Sequence, residues 1–113
     1  MTAPTFRARF FFDAGSGCCL WGADDATKEE HDYPIDHHEL GLPTALAAAL
    51  DDLVARWDTV IDWDDPGGPS PWTHADHVSF DATVDAVLTA LRPALPDWDV
   101  VDTHATADRF DET

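Results

Sequence analysis

Two apolar stripes of helical period, separated by a stretch that no helix can cross, constrain this chain more than any other feature. Leu46, Leu50, Leu53, Val54 and Trp57 recur at i, i+4, i+7, i+8 and i+11. Phe80, Val84, Val87, Leu88, Leu91 and Leu95 recur at i, i+4, i+7, i+8, i+11 and i+15. Between them, residues 64–71 hold three prolines and two glycines in eight positions, and neither residue type supports a continuous helix. The expected result is a helical hairpin whose joint apolar face needs a second layer to cover it. Pro43 suits the first turn of the first helix, a run of alanines from Ala45 to Ala49 interrupted by Leu46 raises its propensity, and Asp51, Asp52 and Asp58 take its outer face. Val60 and Ile61 either continue that stripe or open a connection into Trp63. The segment Thr73-His74-Ala75-Asp76 reads as a capping box with Asp in place of Glu, and Pro93 should bend or end the second helix.

A sheet supplies the second layer. Residues 5–13 alternate Phe6, Ala8, Phe10 and Phe12 against Arg7, Arg9 and Phe11, the period-two pattern of a half-buried strand. Ala14-Gly15-Ser16-Gly17 reads as a hairpin loop, after which Cys18-Cys19-Leu20-Trp21 resumes an apolar run as far as Gly22. Residues 23–30 favour a brief helix capped by Asp24 or Asp25, and residues 31–42, with Pro34 and Gly41 and no period, read as a surface connection. Pro96-Asp97 then turns the chain into a third strand, Trp98 to Asp102. The expected fold class is α+β: a small two-layer sandwich in the order β-β-(short α)-α-α-β, its helical hairpin packed on one face of a mainly antiparallel sheet. A length of 113 residues has room for one core, so residues 1–113 are expected to form a single domain, ordered over about 5–103 with a flexible polar tail at 104–113.

Charge narrows the function. Asp and Glu number 23 against 6 Lys and Arg, for a formal net charge of −17. A protein that binds DNA or RNA by neutralising phosphates needs a cationic footprint, so no nucleic acid is expected as partner, and an anionic membrane surface is excluded likewise. No run approaches a membrane span, and the start MTAPTFRARF lacks the apolar stretch of a signal peptide, so a cytoplasmic location is expected. Adjacent Cys18 and Cys19 imply no disulfide framework. A catalytic thiolate needs positive surroundings, which this chain offers only near Arg7 and Arg9, so buried strand cysteines are expected. Gly15-Ser16-Gly17 is too short to cradle a phosphate, and Ser16, Ser70 and Ser79 stand in no nucleophile elbow. No cofactor is implied, and the chain reads as a binding protein sooner than as an enzyme.

Two groups of residues carry candidate chemistry. Trp57, Trp63 and Trp72 bracket Asp58, Asp62, Asp64 and Asp65 around the stiff loop, and aromatic anchors beside carboxylates suit an interface with a basic protein. The same residues also suit a role in which the indoles cap the core and the aspartates keep the loop in water. His31, His37 and His38, near Asp32, Asp36 and Glu39, are ligand types for zinc or nickel, although adjacent His37 and His38 would diverge on an extended segment. On the second helix His74, His77 and Asp81 at i, i+3 and i+7 share one face and form a second candidate metal group. Neighbouring aspartates are expected to raise the pKa of these histidines. A metal-binding or enzymatic domain using these histidines is therefore the alternative function. A third reading makes the acidity environmental or compositional: 19 of the acids are Asp and only 4 Glu, as a GC-rich gene or a salt-rich cytoplasm would favour.

The string from Phe10 to Trp21, with Tyr33-Pro34-Ile35-Asp36 and the stretch from Asp62 through Trp72, resembles small acidic actinobacterial proteins of unassigned activity. That resemblance implies a cytoplasmic single-domain protein and carries no site residues with it. In size and acidity the chain is also similar to immunity proteins that neutralise nucleases or other cationic toxins. That likeness implies an inhibitor whose acidic, tryptophan-bearing surface occupies a basic cleft.

Overall fold

The computed structural model describes residues 4–104. Along the chain come β1 (Phe6–Phe10), β2 (Leu20–Gly22), α1 (Asp25–His31), β3 (Pro34–Ile35), α2 (Thr44–Asp58), α3 (His74–Ala94) and β4 (Trp98–Asp102), with a short 3-10 turn at His37–Glu39 between β3 and α2. The strands form one mixed sheet in the order β3-β2-β1-β4. β1 runs antiparallel to β2, and β2 to β3, while β4 lies parallel to β1 from Phe6 opposite Trp98 to Phe10 opposite Asp102. A parallel pair needs a long crossover, and the segment carrying α2 and α3 provides it. The fold is α+β, with the helices packed on the sheet.

Burial follows the two periods. Ala8 and Phe10 of β1, Leu20, Ile35 and Val100 point from the sheet into the core, where Leu50 and Leu53 of α2 meet Phe80, Val84, Leu88 and Leu91 of α3. Each helix starts where local chemistry dictates. Asp24 caps α1 by accepting from the Thr27 amide at 2.9 Å, and the Thr27 hydroxyl, together with that bond, holds its carboxyl below the ordinary aspartate range. The capping box of α3 is complete: Thr73 Oγ1 accepts from the Asp76 amide at 3.2 Å and Asp76 Oδ2 from the Thr73 amide at 2.7 Å. Pro93 lies inside α3 but within its last turn, and the helix runs on only to Ala94. α2 ends at Asp58, so Val60 and Ile61 belong to the connection into Trp63.

The segment expected to be a featureless connection holds more structure than its sequence announces. Pro34 and Ile35 pair with Trp21 and Leu20 to extend the sheet, and Ile35 is buried. Two residues are too few to show a period, so this strand exists because β2 offers an open edge. The following 3-10 turn is capped by Asp36, whose side chain accepts from the His38 amide at 2.9 Å. Of the tail expected from residue 104 onward, His104 is described and buried, and residues 105–113 lie outside the described part. No helix among the described residues is long and apolar enough to cross a membrane.

Candidate functional site

The acidic tryptophan loop is built on one buried ring. Phe80 is fully buried and has Phe12, Trp72 and Trp57 around it at centroid distances of 5.0, 5.2 and 5.4 Å, with the Arg56 guanidinium 5.2 Å from its centroid. Trp57 and Trp72 also meet edge to face at 5.6 Å. These two half-buried indoles therefore anchor the two ends of the connection between α2 and α3. Trp72 Nε1 donates to Thr59 Oγ1 at 2.8 Å, and the Ser70 hydroxyl, which bonds the Val60 carbonyl, accepts from the Trp72 amide at 3.1 Å.

Trp63 behaves differently, being 56% exposed. Its Nε1 donates to the Asp58 carbonyl at 2.8 Å, and Asp58 Oδ1 accepts from the Gly15 amide at 2.9 Å, tying the loop to the β1–β2 turn. Gly15 has φ of +85°, and a Cβ there would sit 3.3 Å from the Trp63 ring, so a glycine is needed on both counts. Asp62 Oδ1 accepts from the Asp64 amide at 3.0 Å, and Asp62, Asp64 and Asp65 are all exposed. Of the seven residues proposed from sequence for partner binding, Trp57 and Trp72 face the core and Asp58 is engaged in holding the loop. Trp63, Asp62, Asp64 and Asp65 form the outward surface.

The candidate metal histidines separate into distinct places. His31 packs against both Phe6 and Trp98, at 4.8 and 5.0 Å. His74 is exposed at the start of α3, but His77 is buried against Trp72, 5.0 Å between ring centroids. Burial pushes the His77 pKa down, against the opposing pull of Asp81 and Asp76, which reverses the upward shift expected from its acidic neighbours. Asp81 accepts from Nε2 of buried His104 at 3.2 Å, and His104 Nδ1 bonds Asp102 at 2.5 Å. His104, which the sequence placed in a polar tail, thus links α3 to the end of β4.

His37 and His38 converge. Their rings lie 4.5 Å apart, and both Nε2 atoms reach the same Asp51 oxygen, at 2.8 and 2.9 Å. The divergence expected for an extended segment does not occur, because a helical turn fans adjacent side chains about its axis whereas a strand sends them to opposite faces. His37 is buried, while His38 and Asp51 are about half exposed. The Asp51 carboxyl feels a desolvation penalty, but the bonds from His37 and His38 outweigh it and hold its pKa below the ordinary value. Asp51 escaped the sequence reading because it sits on another element and looks like any outer-face aspartate of α2. Among the described residues, no other three metal-ligating side chains gather their ligand atoms so closely, within 4.8 Å.

Both cysteines are buried and unbridged. Desolvation pushes Cys19 up to about 12 and raises Cys18 too, so neither supplies a thiolate nucleophile near neutral pH.

Among known proteins, a family model described as "Serratia CdiI immunity protein-like" matches residues 13–103, from the β1–β2 turn to the residue after β4. No curated protein matches the chain.

Proposed function

The chain belongs to the Serratia CdiI immunity protein-like family, and on that premise we propose that it is a stoichiometric inhibitor that binds a toxin and sets its acidic loop into a basic cleft. The observation that carries this reading is Trp63, a large apolar ring held in the open by Asp58 and Gly15 and flanked by the exposed Asp62, Asp64 and Asp65. An exposed indole in a fixed position loses little freedom on docking and fills a pocket well, which is how a few aromatic residues dominate binding energy. The carboxylates around it pair with Arg or Lys, and the −17 net charge speeds encounter with a cationic partner by roughly 10-fold to 1000-fold at low salt. The same field repels nucleic acid, so an anionic loop in a nuclease groove competes where phosphate would otherwise lie. Trp57 and Trp72 serve this surface indirectly, by fixing the ends of its loop on Phe80. The site of action we propose is the cytoplasm.

The test is titration of the purified protein against candidate basic toxins taken from neighbouring reading frames. A 1:1 complex that silences the toxin is expected, with Trp63→Ala weakening it by about 2 kcal/mol, roughly 30-fold in Kd. Absence of a complex, or full inhibition by Trp63→Ala at unchanged affinity, contradicts the proposal.

A further inference from the structure

The geometry points to a divalent-metal site formed by His37 Nε2, His38 Nε2 and Asp51 Oδ1 at the junction of the 3-10 turn and α2. The site shares no residue with the tryptophan loop and does not depend on the inhibitor reading. Two imidazoles and one carboxylate are the donor set of three-ligand zinc centres, in which water or an incoming group takes the fourth position. Ligand bonds of about 2.0 to 2.1 Å in a tetrahedron place donor atoms about 3.3 Å apart. The two nitrogen–oxygen separations here are 2.8 and 2.9 Å, so each opens by about half an ångström to admit the ion, while the two imidazole nitrogens, within 4.8 Å of each other, turn toward the same spacing.

The surroundings allow that adjustment. His38 and Asp51 are about half exposed and free to move outward, while buried His37 supplies a fixed point. A cleft lined by Gly17, Cys18, Pro34, Ile35 and Asp36 opens beside them and gives access to the fourth position. Asp36, which caps the turn, adds negative potential next to the cation. Imidazole nitrogen favours zinc or nickel over magnesium or calcium, which prefer all-oxygen sites. A bound ion would join the 3-10 turn to α2 and so fasten the β3 edge of the sheet to the helical layer.

The experiment uses the full chain, stripped with chelator, titrated calorimetrically with Zn2+ alone and then assayed for metal after gel filtration. One zinc per chain and a rise in Tm are expected, with a tenfold excess of Mg2+ failing to displace it. His38→Ala and Asp51→Asn each change a half-exposed side chain, so both should fold, as circular dichroism verifies. Each should weaken zinc binding by about 100-fold or more, whereas His74→Ala should leave it unchanged. No zinc retained by the wild type, a wild-type affinity in His38→Ala and Asp51→Asn, or an equal loss in His74→Ala overturns the site.

Discussion

Replacing Phe80 with alanine removes the ring on which both ends of the acidic loop rest. Phe80 is 0% exposed. A phenylalanine buries about 150 Å² or more, and at about 25 cal/mol per Å² its loss costs about 4 kcal/mol, inside the 3 to 5 kcal/mol range of such truncations. The edge-to-face contacts with Phe12 and Trp72, at 5.0 and 5.2 Å, place the cost toward the upper end. With an unfolding entropy of about 2.1 cal/mol/K per residue over 113 residues, a loss of about 4 kcal/mol lowers Tm by about 17 °C. The assay is urea unfolding of wild type, Phe80→Leu and Phe80→Ala, followed by circular dichroism and tryptophan fluorescence. Phe80→Leu should cost about 1.5 kcal/mol, because leucine keeps most of the apolar volume. A loss below about 1.5 kcal/mol for Phe80→Ala, at an unchanged urea dependence, would refute the assignment of Phe80 as the centre of this cluster.

Two further perturbations probe particular side chains. The folded-state pKa of His77 lies below its unfolded value of about 6.5, so the unfolded chain takes up the proton first and His77 makes stability fall as pH drops below about 6.5. Urea titrations between pH 7.5 and 5 should show a shallower decline in His77→Gln than in wild type, and parallel declines would contradict the burial argument. Gly15→Ala forces a side chain into φ of +85° against the Trp63 ring and should cost about 1 kcal/mol while shifting the Trp63 indole N–H resonance. An unmoved indole signal would mean that Gly15 does not support Trp63.

What could be read from the sequence was what forms locally. The span of β4 from Trp98 to Asp102 and the capping box at Thr73 and Asp76 depend on neighbouring residues, and both stand where the sequence puts them. The stripes of α2 and α3 likewise name Leu50, Leu53, Phe80, Val84, Leu88 and Leu91 as core, because burial of one helical face is a periodic signal. What escaped depends on distant partners. β3 forms against β2, the parallel pairing of β4 joins Phe6 to Trp98 across nearly the whole chain, and buried His104 meets Asp81 of α3 and the Phe10 ring of β1. At the candidate sites, sequence proximity put His31 with His37 and His38, and helical spacing put His74 with His77 and Asp81. The fold instead gathers His37 and His38 on Asp51 and sends His77 into the aromatic cluster. Equal weight for three tryptophans was the corresponding simplification, since only packing tells exposed Trp63 from the anchoring Trp57 and Trp72.

The most direct test of the inhibitor reading is the salt dependence of toxin binding by wild type and by the Asp62→Asn, Asp64→Asn, Asp65→Asn triple variant. If the acidic loop docks in a basic cleft, wild-type affinity falls steeply as salt rises, and the variant binds at least about 10-fold more weakly at low salt with a flatter dependence. Identical salt curves for the two proteins, or an affinity indifferent to salt, would contradict the assignment of this face.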